Sequence, residues 1–313
     1  MAIQLPTQKR KKQVDPHGVN IVLYGPNGLG KTTWANMCEN TFIMATEPGH
    51  DAIEGYVEQI YSWDQFHDFC TLLKQGNHNY KRVCIDTGPG LYRICLDHYC
   101  KKSNVNHISL AEGGWGRGPD VANNAFLAHI QGLALLPYGL IFISHMVEKT
   151  IKTPTAAEYT RFLVDLPERE KAPIRSQVLG LFDCIFYMTL QRVDGPVDGE
   201  DETTEIRYRR VLKTEPSAYY EARDRYHYLP PTIILPEPPA NGYDAYVRAF
   251  ERGRNEKEGT GNVKGQATPA KNANASAATP PTYAPVEEGP EEGKKNATNA
   301  TKTNTATTKG PVR

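Results

Sequence analysis

Between residues 18 and 250, short apolar runs alternate with stretches whose apolar residues recur at helical spacing. Asn20-Ile21-Val22-Leu23-Tyr24, Thr41-Phe42-Ile43-Met44-Ala45-Thr46, Arg82-Val83-Cys84-Ile85-Asp86 and Leu140-Ile141-Phe142-Ile143-Ser144 each read as a buried strand. Residues 32–39, 63–74, 91–101 and 122–136 read as the helices between and after them. This alternation predicts an α/β fold, with a mainly parallel sheet covered by helices on both faces. Residues 182–190 and 204–213 read as two further strands, added antiparallel at one edge. The turn-rich Val193-Asp194-Gly195-Pro196-Val197-Asp198-Gly199 joins them.

The ends of the chain break the pattern. Residues 1–17 are polar and basic and read as a flexible arm. Lys9-Arg10-Lys11-Lys12 is not followed by an apolar h-region, so the arm does not read as a secretory signal. Residues 251–313 are rich in Ala, Asn, Thr, Lys, Gly, Pro and Glu and read as a disordered, low-complexity tail, too poor in apolar surface to offset its chain entropy. The 313 residues are 39% hydrophobic, enough for a sizeable core. No apolar run approaches the ~20 residues of a membrane span. Lys plus Arg and Asp plus Glu both total 36, so any basic surface must be local. The six cysteines form no Cys-x-x-Cys pair and read as reduced, mostly buried thiols of a cytoplasmic protein.

Gly25-Pro26-Asn27-Gly28-Leu29-Gly30-Lys31-Thr32 matches the P-loop pattern G-x-x-x-x-G-K-[ST], and Thr33 follows it. It lies between an expected strand and an expected helix, the context the chemistry needs. The glycines let backbone N–H groups cradle phosphate oxygens at a helix N-terminus. Lys31 supplies charge for the β and γ phosphates of ATP, and the Thr32 hydroxyl is a magnesium ligand. Asp86 ends an apolar strand, which is expected beside the P-loop strand with the carboxylate holding magnesium through water. Glu47 follows the second strand, where a carboxylate would orient and deprotonate an attacking water. His145 follows the fourth and would sense the γ-phosphate.

This order of features resembles the RecA-like recombinase core, and more narrowly the phage-encoded RecA-like ATPases of single-strand annealing and recombination. The resemblance spans residues 19–229. It implies a catalytic Glu47, although His145 stands where such proteins typically carry Gln. It also implies two loops facing single-stranded DNA. The first, residues 109–118, offers Trp115 for stacking and Arg117 for charge. The second is expected as a loop of about 25 residues after His145, with Lys149, Lys152, Arg161, Arg169 and Lys171. The edge strand Arg207-Tyr208-Arg209-Arg210-Val211-Leu212-Lys213 would bring Lys213, with Arg210 as second candidate, onto a neighbour's γ-phosphate in a ring or filament of identical subunits.

The resulting expectation is a magnesium-dependent, DNA-stimulated ATPase that binds single-stranded DNA and promotes annealing or recombination, in the host cytoplasm if phage-encoded. Two other readings compete. One is a P-loop kinase of a small molecule, with Arg223 and Arg225 as the lid pair. The other is an ATP-dependent loader or remodeller of a replication protein. The tail would then meet that protein, or a single-strand-binding protein.

Overall fold

The computed structural model describes residues 14–153, 156–168, 173–193 and 207–259. Residues 1–13, the segment 194–206 and the tail from 260 lie outside the described residues, as do Arg169 and Lys171. Residues 14–17, expected in the flexible arm, are described, with Asp15 capping a short 3-10 turn (Pro16–Gly18) and Pro16 buried.

The four continuous apolar runs are the central strands β1 (Ile21–Tyr24), β2 (Thr41–Ala45), β4 (Arg82–Asp86) and β5 (Gly139–Ser144), every residue of them buried. A short β3 (Tyr56–Gln59) and the long pair β8 (Cys184–Val193) and β9 (Arg207–Lys213) extend the sheet, with small pieces β10 (Arg223–Asp224) and β11 (Thr232–Ile234). The order is β11-β9-β8-β1-β5-β4-β2-β3. All neighbours from β3 to β8 are parallel, while β9 and β11 pair antiparallel at one edge. This is the α/β arrangement the sequence calls for, a mainly parallel sheet with antiparallel strands added at one edge.

Alternate residues of the strands feed two apolar layers, as the period-2 geometry of a strand requires. Val22, Phe42, Val83, Leu140 and Ile185 face α2 (Trp63–Gln75), α3 (Gly88–Lys102), α4 (Arg117–Ala134) and α5 (Ile174–Leu181). Ile21, Ile43, Cys84, Ile141 and Phe186 face α1 (Lys31–Asn36) and α6 (Gly242–Gly259). Ser62 caps α2 by accepting from the Gln65 N–H, and Gly76 ends it in the left-handed conformation. Five cysteines are buried and Cys100 is half-buried, all as free thiols. Among the described residues, no helix is long and apolar enough to cross a membrane.

Four expectations need correction. The strand of Asp86 is not beside the P-loop strand, because β5 pairs with both β1 and β4 and separates them. The long loop after His145 is instead an antiparallel hairpin of β6 (Met146–Thr153) and β7 (Ala156–Val164). Its strands carry apolar and charged residues on the same face, Val147, Lys149 and Ile151 against Leu163, Arg161 and Tyr159, so no apolar/polar alternation marked them in the sequence. Arg117 is the first residue of α4 rather than part of a loop. Finally, the helix α6 runs beyond residue 250 to Gly259. Tyr243, Tyr246, Ala249 and Phe250 recur at helical spacing and bury its inner face.

Candidate nucleotide site

The P-loop leaves β1 at Gly25, where the chain turns with φ of +153° and a Cβ would lie 2.1 Å from the Met188 carbonyl oxygen of β8. Only glycine permits that approach. Gly28 and Gly30 hold φ of +78° and +79°, left-handed conformations that turn the loop toward the start of α1. Lys31 opens that helix and is 7% exposed, its ammonium donating to the carbonyls of Gly25 at 3.0 Å and Pro26 at 2.8 Å. Burial pushes its pKa down, while Asp86 and Glu47 pull it up. The charge thus lies inside the loop it closes, facing two carboxylates.

The carboxylates come from neighbouring strand ends and have different partners. Asp86 Oδ2 accepts from the Thr32 hydroxyl at 2.5 Å, so the strand that β5 displaces from the P-loop still reaches it. The same oxygen meets His50 Nε2 at 3.2 Å, and His50 Nδ1 meets the Glu47 carbonyl at 3.0 Å. Both ring nitrogens face acceptors, and the bond to Asp86 is the chief cause of a raised His50 pKa, opposed by burial. Glu47 Oε1 accepts from the Thr87 hydroxyl at 2.7 Å, and Glu47 Oε2 from His145 Nε2 at 3.0 Å. A carboxylate only accepts, so Nε2 carries the proton of that bond. His145 Nδ1 faces Asn27 Oδ1 of the P-loop at 2.6 Å. A chain of contacts therefore runs from the phosphate loop through His145 to Glu47.

Lys31, Thr32, Thr33, Glu47, His50, Asp86, Thr87 and His145 line one cleft of about 460 Å³ with the P-loop. A larger cavity of about 1030 Å³ lies between α6 and the segment 214–230, but it mixes Arg223 and Arg252 with Glu215 and Asp224 and has no phosphate cradle. Sequence reasoning found the P-loop, Glu47, Asp86 and His145. It missed His50 and Thr87, whose signals are only their closeness in sequence to Glu47 and Asp86.

The other expected residues lie outside this cleft. Trp115 is 100% exposed and sits in a run from Glu112 to Gly116 in which every residue has positive φ. Lys149 of β6 stands directly across the hairpin from Arg161 of β7, and Lys152 pairs with Glu158 at 3.0 Å. Lys213 donates to Thr232 Oγ1 at 3.0 Å. On β9 the alternation puts Arg210 on the opposite face from Lys213, and Arg210 is the cation that reaches its own P-loop. Its Nη1 meets the Leu29 carbonyl at 3.5 Å, and its Nη2 donates to the Pro236 carbonyl at 2.8 Å. Arg223 and Arg225, the lid pair of the kinase reading, hold the junction of α5 and β8. Arg225 pairs with Asp183 at 3.2 Å and Arg223 donates to the Leu179 and Phe182 carbonyls.

The residues present fit a nucleoside triphosphate with magnesium. The glycine loop and buried lysine suit phosphate oxygens, and a hydroxyl with a carboxylate is the hard-oxygen donor set of magnesium. Fold and cleft together define a P-loop nucleotide-binding protein. The chain belongs to the AAA domain family AAA_24, which matches residues 17–226. It is also similar to the SPbeta prophage-derived uncharacterized protein YorG of Bacillus subtilis (strain 168). The two are 25% identical over 247 residues, covering 75% of this chain and 68% of that one. Similar solved structures include the flagellar accessory protein FlaH of Methanocaldococcus jannaschii, 12% identical with a TM-score of 0.35. The KaiC-like protein PH0186 of Pyrococcus horikoshii OT3 is 14% identical, with a TM-score of 0.35. Each alignment covers 72% of this chain and 88% of the other.

Proposed function

We propose that this chain is a magnesium-dependent ATPase whose turnover is coupled to single-stranded DNA and serves annealing or strand pairing in phage DNA metabolism. The observation that carries the hydrolytic part is the shared cleft. Glu47, oriented by Thr87 and His145, faces the same space as Lys31 and the Thr32–Asp86 pair. Lys31 would hold the β and γ phosphates, and Thr32 and Asp86 would hold magnesium. Bound magnesium supplies charge neutralisation on the phosphate oxygens. Glu47 would take a proton from the attacking water, and His145, touching both Asn27 and Glu47, would link the phosphate loop to the base.

The DNA part is supported by the bare indole of Trp115, by Arg117 beside it, and by the like-charged pair Lys149 and Arg161 with Lys152 on the hairpin. The prophage origin of the related protein supports the phage setting. Lys213 is kept as the cation offered to a neighbouring subunit in a homo-oligomer, and the tail as the segment that meets a replication or single-strand-binding protein. The test is steady-state ATP hydrolysis with and without single-stranded DNA. DNA should raise the rate of the wild type, and Glu47→Gln should lower it by roughly 10²-fold or more while ATP still binds. Rates indifferent to both DNA and the substitution would overturn the proposal.

A further inference from the structure

At the root of the hairpin, a second concentration of charge lies apart from the nucleotide cleft. Arg161 of β7, Arg175 of α5 and Arg223 of β10 line one notch of about 290 Å³, with Ser176 and Glu221. Arg175 is neutralised there. It meets Glu221 at 3.2 Å and Glu168 at 3.5 Å. Arg161 and Arg223 form no ion pair with a carboxylate among the described residues. The Nε of each is buried without a hydrogen-bond acceptor from those residues.

A buried donor without an acceptor is costly, so such groups persist where something else meets them. Two features show that the cost is not an accident of one side chain. Arg223 is fixed by its other nitrogen, which donates to the Leu179 and Phe182 carbonyls at the end of α5, so its guanidinium cannot swing out to water without breaking those bonds. Arg161 is placed directly across from Lys149, so like charges stand opposite each other on the hairpin, an arrangement that weakens it. Both observations call for a negative group with several acceptor oxygens. An arginine fork matches carboxylate and phosphate alike, and phosphate offers more acceptor oxygens than a carboxylate.

We infer that this notch is an oxyanion site that takes a backbone phosphate of single-stranded nucleic acid lying along the hairpin. The assignment of the phosphate to nucleic acid rests on the DNA reading above; the oxyanion chemistry rests on the arginines alone. The site also assigns a task to Arg223, which the nucleotide cleft does not use.

The test uses the full chain and two probes. In the first arm, inorganic phosphate is titrated while the arginine Nε–H resonances are followed by NMR. The Arg161 and Arg223 signals should shift saturably, and Arg161→Gln should abolish the shift of Arg223. Signals that stay fixed at millimolar phosphate overturn the site. The second arm measures single-stranded DNA affinity against salt. Arg161→Gln should reduce the slope of log affinity against log salt by about 0.7, the value of one lost phosphate contact. Arg161→Lys, which keeps the charge but loses the fork, should restore the slope without restoring the full affinity. An unchanged slope in Arg161→Gln, with phosphate still binding, overturns the nucleic-acid source. A wild type that binds no single-stranded DNA overturns the DNA reading itself, and the phosphate titration still decides the site.

Discussion

His145 Nε2 donates to the Glu47 carboxylate at 3.0 Å, joining the end of β5 to the segment after β2. His145 also touches Asn27, so one imidazole contacts both the phosphate loop and Glu47. His145→Ala should therefore lower kcat roughly 10- to 100-fold, equivalent to about 1.4–2.7 kcal/mol of transition-state stabilisation. ATP affinity should change little, because Lys31 and the loop backbone keep the phosphates. His145→Gln, which can still donate to Glu47, should recover part of the rate. Single-turnover hydrolysis alongside equilibrium nucleotide binding separates these outcomes.

Trp115 is the tryptophan open to a ligand: Trp34 and Trp63 are 2% and 5% exposed, against 100% for Trp115. Single-stranded DNA should therefore quench the intrinsic fluorescence, and Trp115→Ala should remove the quenching. The same substitution should weaken DNA binding by roughly 1–3 kcal/mol, the worth of one base stacked on an aromatic ring. DNA affinity unchanged in Trp115→Ala would remove this segment from the interface.

Arg82 is fully buried at the base of β4, and its partners are a phenol and two carbonyls. It donates to the Tyr243 hydroxyl at 2.6 Å, the Val19 carbonyl at 2.9 Å and the Pro16 carbonyl at 2.5 Å. It also stacks 5.4 Å from the Tyr243 ring centroid. Arg82 thus fastens α6 and the residues before β1 to the sheet. The Pro16 carbonyl keeps the Tyr246 hydroxyl as a donor and Tyr243 keeps His17, but the Val19 carbonyl loses its side-chain donor, so Arg82→Met should cost about 1–3 kcal/mol. Urea denaturation measures the loss.

His129 predicts a pH dependence of stability. Its Nδ1 donates to the Ala125 carbonyl at 2.8 Å and its Nε2 lies 2.9 Å from His67 Nδ1, while the ring sits on Trp63. Burial pushes its pKa below the ordinary value of 6.5. The unfolded chain therefore takes up this proton first, and protonation favours unfolding. The contribution of His129 should be flat above about pH 6.5 and become destabilising as pH falls through that value. Thermal melts from pH 8 to pH 5 should show a smaller loss for His129→Gln than for the wild type.

The sequence by itself determined the central strands, the phosphate loop and the placement of Glu47, Asp86 and His145 in the cleft. Ile21 to Tyr24 and Leu140 to Ser144 are buried on both faces, so their apolar runs are continuous and their ends stand out. A carboxylate or imidazole just past such a run must lie at the C-terminal edge of a parallel sheet, which places Glu47, Asp86 and His145 near the loop before any coordinates are known. Where α6 ends was less legible, because its outer face beyond Phe250 is charged and shares the composition of the tail.

Only the tertiary structure decided who meets whom. Strand order is a long-range choice, and the insertion of β5 between β1 and β4 is what puts His145 beside the P-loop and against Glu47. His50 on Asp86 and Thr87 on Glu47 follow from strand ends and turns that no local pattern encodes. The same holds for Arg161 and Arg223. They are far apart in the chain, and each alone is an ordinary surface-type residue. They come to line one notch, each with a buried Nε lacking an acceptor among the described residues, only because the tertiary fold brings β7 and β10 together there.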